Sequence, residues 1–424
     1  MPTPPPVQDA LFEDADAPAS PLADEPAAVS PPPRPRARRS TAVLPAPPSP
    51  ELIALAARLP PRLRLGTSSW HFPGWAGLVW AGDHAESKLS KEGLSAYGQH
   101  PLLGTVSLDR AFYRPLTASQ YAKYAAQVPP GFRFVVKAPA LVCDALVRAE
   151  DGRGMAPNAA FLNSDLAVQE FIQPALQGLT EKVGALVFQI SPLPRALLTD
   201  VPALIDRIGA LLAALPRLAP TAPDGVVALE VRDAAFLSAA HAPLLARALR
   251  AAREASGNPV TYCLGLHAKM PPIEDQLPLL RALWPGPLVC RWNLHRRHGA
   301  FGYEAAKAQY EPFDKLVDPD EATRDHLARV IAGTTGAGEL AYVTVNNKAE
   351  GSAPLSVAAL AEQLVGREQH LRDFARISGA TRGEFSQADV AGEARLLAAE
   401  MAEQSPNALD FEAPELADRL LGRL

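Results

Sequence analysis

Residues 225–233 read GVVALEVRD, an apolar run that ends in three charged residues. The apolar part has the continuous character of a strand that is buried on both faces, as in a parallel sheet. Burying Glu230, Arg232 and Asp233 without partners or solvent would cost free energy, so the strand must emerge from the core into a polar place at this end. The fold therefore depends on how many other strands end in the same way.

Seven further short apolar runs resemble this one, and segments with helical spacing lie between them. Eight strand and helix units in about 300 residues predict an α/β fold, a TIM-type (β/α)8 barrel, better than an open sheet. A Rossmann-type sheet would need a glycine-rich phosphate turn after its first strand, and GTSSWHFPGW (66–75) is not such a turn. The other strand runs are residues 63–70, 104–110, 132–139, 185–191, 260–269, 287–295 and 340–347, and helical spacing occurs in 117–128, 204–215, 241–254, 275–283 and 355–366.

The composition changes along the chain and predicts three parts. Residues 1–58 are crowded with Pro and Ala, so we expect a disordered tail that cannot bury enough apolar surface to offset its ordering entropy. Residues 59–367 form the predicted barrel. Residues 368–424 carry further helical patterns at 393–404 and 413–424 and are predicted to be a C-terminal helical extension.

Charge and cysteine content exclude several classes of function. The net charge is −5 and the pI about 6.0, which gives no bulk attraction to nucleic acid or to an anionic membrane, and neither is expected as a partner. Cys143, Cys263 and Cys290 are far apart and fit neither a disulfide framework nor a zinc ribbon. With no apolar leader or spanning segment, a cytoplasmic location is expected. No cofactor is predicted, and the oligomeric state is left open.

The polar strand endings belong together, because the C-terminal ends of barrel strands form the mouth where ligands bind. Side chains alternate along a strand, so Glu230 and Arg232 share one face while Val231 takes the other. Arg291, Asn293 and His295 share a face across Trp292 in the same way. The charged faces should therefore point into the barrel. Its predicted polar lining is Lys137, Gln189, Glu230, Arg232, His267, Arg291, Asn293, Asn346 and Asn347.

Six ordered fragments resemble the domain-of-unknown-function 72 family, also called YecE-like. They are LGTSSWHFPGWAG (65–77), AFYRPLTASQYAKYAAQVPPGFRFVVKAPALV (111–142), LVFQIS (186–191), LEVRD (229–233), RRHG (296–299) and VNNKAEGSAP (345–354). The resemblance implies a TIM barrel and no established activity. By position, the motif residues of that family fall on Trp70, Trp75, Phe112, Tyr113, Lys137, Gln189, Glu230, Arg232, His298, Gly299, Asn346 and Asn347.

The chain also departs from the pattern of that family, which suggests a divergent member. Ser107 and Asp109 stand where the family usually has an acidic residue and an Asn before the Phe-Tyr pair. Lys348 stands where the family usually has an Asp after the two asparagines. The residues LVW (78–80) replace a Phe-Tyr-Pro.

These residue types suggest roles at the mouth. Glu230 is the first candidate for a general acid or base, with Asp109 and His267 behind it. Lys137 is the third catalytic candidate, as an anion clamp or as an amine that forms a Schiff base. Arginine side chains favour an anionic ligand. The expected ligand-binding residues are Trp70, Tyr113, Gln189, Arg232, His267, Arg291, Asn293, His298, Asn346 and Asn347.

Three functions are compatible with this set. The first is a metal-independent enzyme that acts on a small anionic or polyhydroxylated molecule. The second is a non-catalytic binding or scaffold protein whose mouth charges pair internally and whose tail and C-terminal helices recruit a partner. The third is a metal-dependent phosphodiesterase or nuclease, with its metal held among His267, His295, His298, Glu230 and Asp109.

Overall fold

The computed structural model describes residues 42–149 and 153–377, and within them eight parallel strands close into a barrel. The strands are β1 Leu63–Thr67, β2 Thr105–Leu108, β3 Arg133–Lys137, β4 Leu146–Arg148, β5 Gly154–Pro157, β6 Val183–Gln189, β7 Val226–Glu230, β8 Val260–Leu266, β9 Leu288–Trp292 and β10 Ala341–Val345. The strand order in the barrel is β1-β10-β9-β8-β7-β6-β3-β2, and β1 pairs with both β10 and β2. A separate antiparallel pair, β4 and β5, lies outside the barrel. The predicted TIM-type barrel is thus confirmed.

Helices surround the barrel, and several begin at side-chain caps. Thr117 forms a capping box with Gln120 at the start of the helix Ala118–Ala125, and Asp320 accepts a hydrogen bond from the Thr323 backbone at the start of the helix Glu321–Gly336. Short 3₁₀ turns follow the carboxyl ends of several strands, among them Arg296–His298 after β9 and Asn347–Ala349 after β10. The helices are α1 Pro50–Ala57, α2 Glu86–Tyr97, α3 Arg110–Tyr113, α4 Ala118–Ala125, α5 Ala140–Cys143, α6 Ser164–Ala167, α7 Gln173–Leu179, α8 Val201–Ala213, α9 Ala242–Ser256, α10 Ile273–Ala282, α11 Tyr303–Tyr310, α12 Glu321–Gly336 and α13 Ala353–Ile377.

Alternation along the strands separates two apolar cores. One core fills the barrel and contains Val135, Val187, Ala228 and Val289, while a larger one, which includes Trp292, lies between the sheet and the helices. Because side chains alternate with a period of two, the next inward positions towards the mouth are two residues further along. Those positions are Lys137, Gln189, Glu230 and Arg291. A layer of polar side chains therefore covers the inner apolar core at the mouth.

Part of the segment that the sequence places in a disordered tail is ordered. Residues 42–58 belong to the described range, and α1 forms with Ser49 as its N-cap. Val43 is buried in the outer core, and the Ala46 amide donates to the Val79 carbonyl at 2.9 Å. Leu52 and Leu55 pack partly against that core. The folded unit therefore begins before residue 59, because apolar contacts in this stretch offset its ordering entropy.

The C-terminal helical patterns and the N-terminal tail are described only in part. The predicted helix at 355–366 lies in the first half of the longer helix α13. Residues 1–41 and the helical patterns at 393–404 and 413–424 lie outside the described residues. No helix in the described part of the chain is long and apolar enough to cross a membrane.

Candidate functional site at the barrel mouth

Glu230 is the centre of the polar layer and pairs with two arginines. Its Oε2 accepts a hydrogen bond from Arg291 Nη1 at 2.7 Å, and its Oε1 lies 2.8 Å from Arg232 Nη2. Gln189 Oε1 accepts from both guanidinium groups, from Arg232 Nη2 at 2.8 Å and from Arg291 Nη1 at 3.0 Å. Glu230 is 1% exposed and Arg291 is 2% exposed. Gln189, Glu230, Arg232 and Arg291 therefore form a largely buried, hydrogen-bonded layer, the ionic floor of the mouth.

A glycine on the intervening strand makes room for this pairing. Glu230 ends β7 and Arg291 lies on β9, so β8 runs between them. Gly265 occupies the inward position of β8 beside Arg291, and a Cβ there would lie 3.5 Å from Glu230 Oε1. A larger side chain at this position would crowd the space in which the carboxylate and the guanidinium meet.

Asp109 holds the other edge of the Arg291 guanidinium. Arg291 Nη2 donates to both carboxylate oxygens of Asp109, at 3.0 and 2.9 Å, and Ser107 donates to Asp109 Oδ1 at 2.6 Å. Burial alone would raise the pKa of Glu230, but the charges of Arg232 and Arg291 lower it below its usual value. Burial likewise disfavours the Arg291 cation, yet Asp109 and Glu230 raise the pKa of that group. Both groups are therefore ionised at neutral pH.

Lys137 lies at the edge of this ionic floor without an ion pair. It ends β3 and is 9% exposed, and its Nζ stands 3.5 Å from the centre of the Phe112 ring. No hydrogen bond or ion pair to Lys137 Nζ occurs among the described residues. Burial lowers its pKa to about 7, with Asp109 opposing the shift and Arg291 and Arg232 adding to it. A substantial fraction of the neutral amine is thus present near neutral pH.

Three buried donors at the mouth have no acceptor in the described part of the chain. They are Arg232 Nε, Arg291 Nε and Asn293 Nδ2. A buried donor without an acceptor costs free energy, so native structures usually satisfy such groups. These donors can serve a carboxylate, a phosphate or a hydroxyl oxygen.

A family model described as a protein of unknown function, DUF72, matches residues 64–379, which is more than half of the chain. The chain belongs to the DUF72 family. A DUF72 family protein of Enterococcus faecalis V583 has a TM-score of 0.48 at 16% identity, over 71% of this chain and 95% of that one. A DUF72 family protein of Thermotoga maritima MSB8 has a TM-score of 0.41 at 16% identity, over 72% of this chain and 99% of that one. A search of curated proteins gave no match.

Some motif residues of this DUF72 protein hold the scaffold together. Trp70 Nε1 donates to the Leu89 carbonyl of α2 at 3.2 Å. Asn347 Oδ1 accepts from Trp75 Nε1 at 3.2 Å and from the Ala353 amide at 2.8 Å, which ties the loop after β1 to the start of α13. The contacts of Trp70 and Asn347 are therefore those of loop anchors.

Other sequence-predicted residues lie around the rim. Tyr113 is 49% exposed, with its ring edge-on to Phe112. His298 Nε2 lies 2.7 Å from the Tyr310 hydroxyl, which donates to Asp318. Within the described part of the chain, His298 bonds to Tyr310 and lies near Asp318, and it forms no hydrogen bond with Glu230 or Arg291.

His267 lies beside the ionic floor and opens onto a neighbouring cleft. Burial and the nearby Arg232 lower its pKa to about 4, so it is neutral at neutral pH. It borders a cleft of about 220 Å³ between the ends of β8 and β9 and the start of α12. That cleft is lined by Trp292, Arg296 and Thr323 and does not include Lys137, Glu230 or Arg291. The ionic floor therefore lies outside this cleft.

The residues that sequence reasoning missed are Gly265 and Tyr303. Tyr303 begins α11, and its hydroxyl accepts a hydrogen bond from Asn346 Nδ2 at 3.2 Å. Burial, with Asp109 next in effect, raises the pKa of Tyr303 to about 12, so the phenol keeps its proton. Lys348 Nζ lies 4.0 Å from the Tyr303 ring centre, and its burial lowers its pKa to about 8. Lys348 is thus a second lysine near the mouth whose amine faces an aromatic ring. No sequence pattern indicates Tyr303.

The ligand set of the metal alternative does not come together. No group of three or more His, Cys, Asp or Glu side chains suited to a metal ion occurs within residues 42–149 and 153–377. Glu230 and Asp109 instead pair with arginine. His295 Nδ1 accepts the Arg297 amide within its own turn.

Proposed function

We propose that this DUF72 protein binds a small anionic or polyhydroxylated molecule at the barrel mouth and acts on it through Lys137, with no metal in the chemical step. The charge balance of the site carries this proposal. Glu230 and Asp109 offset Arg232 and Arg291, because each arginine pairs with at least one of these carboxylates. Lys137 is left without a carboxylate partner. A ligand that brings one negative charge or a polarised oxygen would complete the site.

The unpartnered donors support the same class of ligand. Arg232 Nε, Arg291 Nε and Asn293 Nδ2 offer N–H groups where an oxygen-rich molecule would be held. Their positions are fixed, since Gln189 and Glu230 already hold both guanidinium groups. A site fixed in this way binds without the entropy cost of ordering long side chains.

Of the two leading catalytic candidates, Lys137 fits acid or base catalysis better than Glu230 does. Glu230 forms ion pairs with Arg232 and Arg291 and its pKa is lowered, so it is a poor proton donor and serves to position the two arginines. General acid or base catalysis is most efficient when the pKa of the group lies near the working pH. With its pKa near 7, Lys137 meets that condition.

The test is a thermal-shift comparison of wild type with Lys137→Met, using inorganic phosphate, citrate and glucose 6-phosphate as probes. A probe at about 100 times its Kd stabilises the native state by about 2.7 kcal/mol, which is a shift of several degrees. We expect at least one probe to raise the Tm of wild type and to lose that effect in Lys137→Met. Lys91→Met is the matched control, because Lys91 is an exposed lysine on α2.

Two outcomes would contradict the proposal. Equal shifts in wild type and Lys137→Met would place binding elsewhere, and no shift with any probe would remove the evidence for an anion site. A shift that depends on Lys137, with no chemical change of any bound probe by NMR, would favour the non-catalytic binding role. The observation that favours a non-catalytic role is that Glu230, Arg232, Arg291 and Asp109 already pair with one another.

A further inference from the structure

The surroundings of the Lys137 amine differ from those of a structural lysine. Lys182 shows the structural pattern, since its Nζ donates to the Ala125 and Val128 carbonyls, each at 2.7 Å. Lys137 Nζ instead faces the Phe112 ring. An aromatic ring attracts an ammonium ion but leaves the lone pair of a neutral amine uncommitted. Lys137 therefore has a nucleophile's environment inside the mouth.

The nearby carboxylates are already paired with arginine. Asp109 and Glu230 are bound by Arg291, and Glu230 also by Arg232. Burial of Lys137 disfavours its protonated form, and the positive charges of those arginines add to this effect against the opposing charge of Asp109, which brings its pKa to about 7. Desolvation and neighbouring cations are the conditions that activate a lysine towards a carbonyl carbon.

We propose that Lys137 forms a Schiff base with a small carbonyl compound that carries an anionic group, such as a 2-oxo acid or an aldose phosphate. This inference deepens the proposed function and rests on it. The Lys137 nitrogen forms a bond to the carbonyl carbon, and the carbonyl oxygen leaves as water. Two of the three protons of the ammonium form depart in that water, and the third stays on nitrogen as the iminium. The anionic group meets the unpartnered donors of Arg232 and Arg291.

Asp109 and Tyr303 fit the needs of this step. The Asp109 charge acts on Lys137 and would stabilise an iminium cation. The charges of Asp109, Arg291 and Arg232 all act on Tyr303, so its phenol lies in the same region. A phenol that keeps its proton at neutral pH can donate to the oxygen that leaves.

The experiment is reductive trapping of the full chain with sodium cyanoborohydride at about pH 7. The probes are pyruvate, glyceraldehyde 3-phosphate and the uncharged glycolaldehyde. Reduction of the iminium would leave a stable secondary amine, with a mass gain equal to the probe minus one oxygen atom. Digestion and mass spectrometry then give the labelled fraction at each lysine. Thermal-shift curves with pyruvate and with inorganic phosphate are recorded in parallel.

We expect pyruvate or glyceraldehyde 3-phosphate to label Lys137 at least about ten-fold faster than Lys91, because burial lowers the pKa of the Lys137 amine to about 7 and its nitrogen has no hydrogen-bond partner among the described residues. The labelling rate should rise with pH and level off above about pH 7. Glycolaldehyde should label Lys137 more slowly than the anionic probes. Wild type and Lys91→Met should behave alike.

Equal labelling of Lys137 and Lys91 by every probe, or no labelling of Lys137, would overturn the Schiff base. The parallel curves separate that failure from failure of the proposed function. A phosphate shift that depends on Lys137 without any trapping would leave the ligand site standing and remove only the covalent step. Absence of both signals would remove both.

Discussion

At the scale of single residues, the mouth depends on how Glu230 shares its charge between Arg232 and Arg291. Replacing one member of a buried ion pair leaves the other charge uncompensated, which typically costs about 3–5 kcal/mol. We expect Glu230→Gln to lower the free energy of unfolding by about that amount in urea denaturation at neutral pH. The control is Lys307→Gln, which breaks a partly exposed pair with Glu311. That change should alter stability by about 1 kcal/mol or less.

The pH dependence of this effect has a definite sign. The pKa of Glu230 is lower in the folded state than its ordinary value of 4.5, so its stabilisation is fully present above about pH 4.5. It is lost as the pH falls through the folded-state pKa. The stability difference between wild type and Glu230→Gln should therefore shrink below about pH 4.5. A difference that stays constant on acidification would contradict the ion-pair account.

The sequence predicts side-chain direction at the site better than side-chain pairing. Alternation with a period of two places Glu230, Arg291 and Lys137 inside the barrel, and the structure has them there. The hydrogen bond between Arg291 and Glu230 spans β8, and the small size of Gly265 on that strand leaves room for it. No local sequence pattern indicates this arrangement. Tyr303 begins α11, which is positioned by the loop after β9, and tertiary contacts set the path of that loop. Local periodicity carries no information on either contact.

At the scale of secondary-structure elements, the seam between β1 and β2 requires a glycine. Gly66 pairs with Thr105, and a Cβ on Gly66 would lie 1.8 Å from the Thr105 carbonyl oxygen. Because two backbones meet there, no side-chain rotation can relieve the clash. We expect Gly66→Ala to destabilise the protein by about 3 kcal/mol or more in urea denaturation, as severe overpacking does.

The matched control is a glycine that has open space. Gly333 lies on α12, and no atom would approach a Cβ there within 4 Å. Gly333→Ala should raise the free energy of unfolding by about 0.5–1 kcal/mol, because alanine loses less backbone entropy in a helix. If both substitutions changed stability alike, the close approach of β1 and β2 would not be the reason for Gly66.

At the scale of the whole molecule, the segment before β1 belongs to the folded unit. The run AVLPAPPSPELIALAARL (42–59) contains four prolines, and this composition led to its assignment to the tail. Its apolar side chains nevertheless meet a ready surface: α1 contacts α13, and the strand-like residues near Pro45 pair with Trp80. The composition of a segment reflects only the apolar side chains that the segment itself contains. It carries no information on the apolar surface of the rest of the protein against which those side chains can pack.

Two shortened chains test this assignment, one that starts at residue 42 and one that starts at residue 59. Removing residues 42–58 exposes the outer core beside Val43, Leu52 and Leu55. Burying such a side chain fully contributes about 1.5–3 kcal/mol, and the two leucines are only partly buried, so the chain from residue 59 should be less stable by about 2–4 kcal/mol. Urea midpoints of the two chains measure the difference, with the slope of the transition reporting any change in the surface exposed on unfolding. Equal midpoints would mean that residues 42–58 contribute nothing to the barrel, and the boundary at residue 59 would then stand.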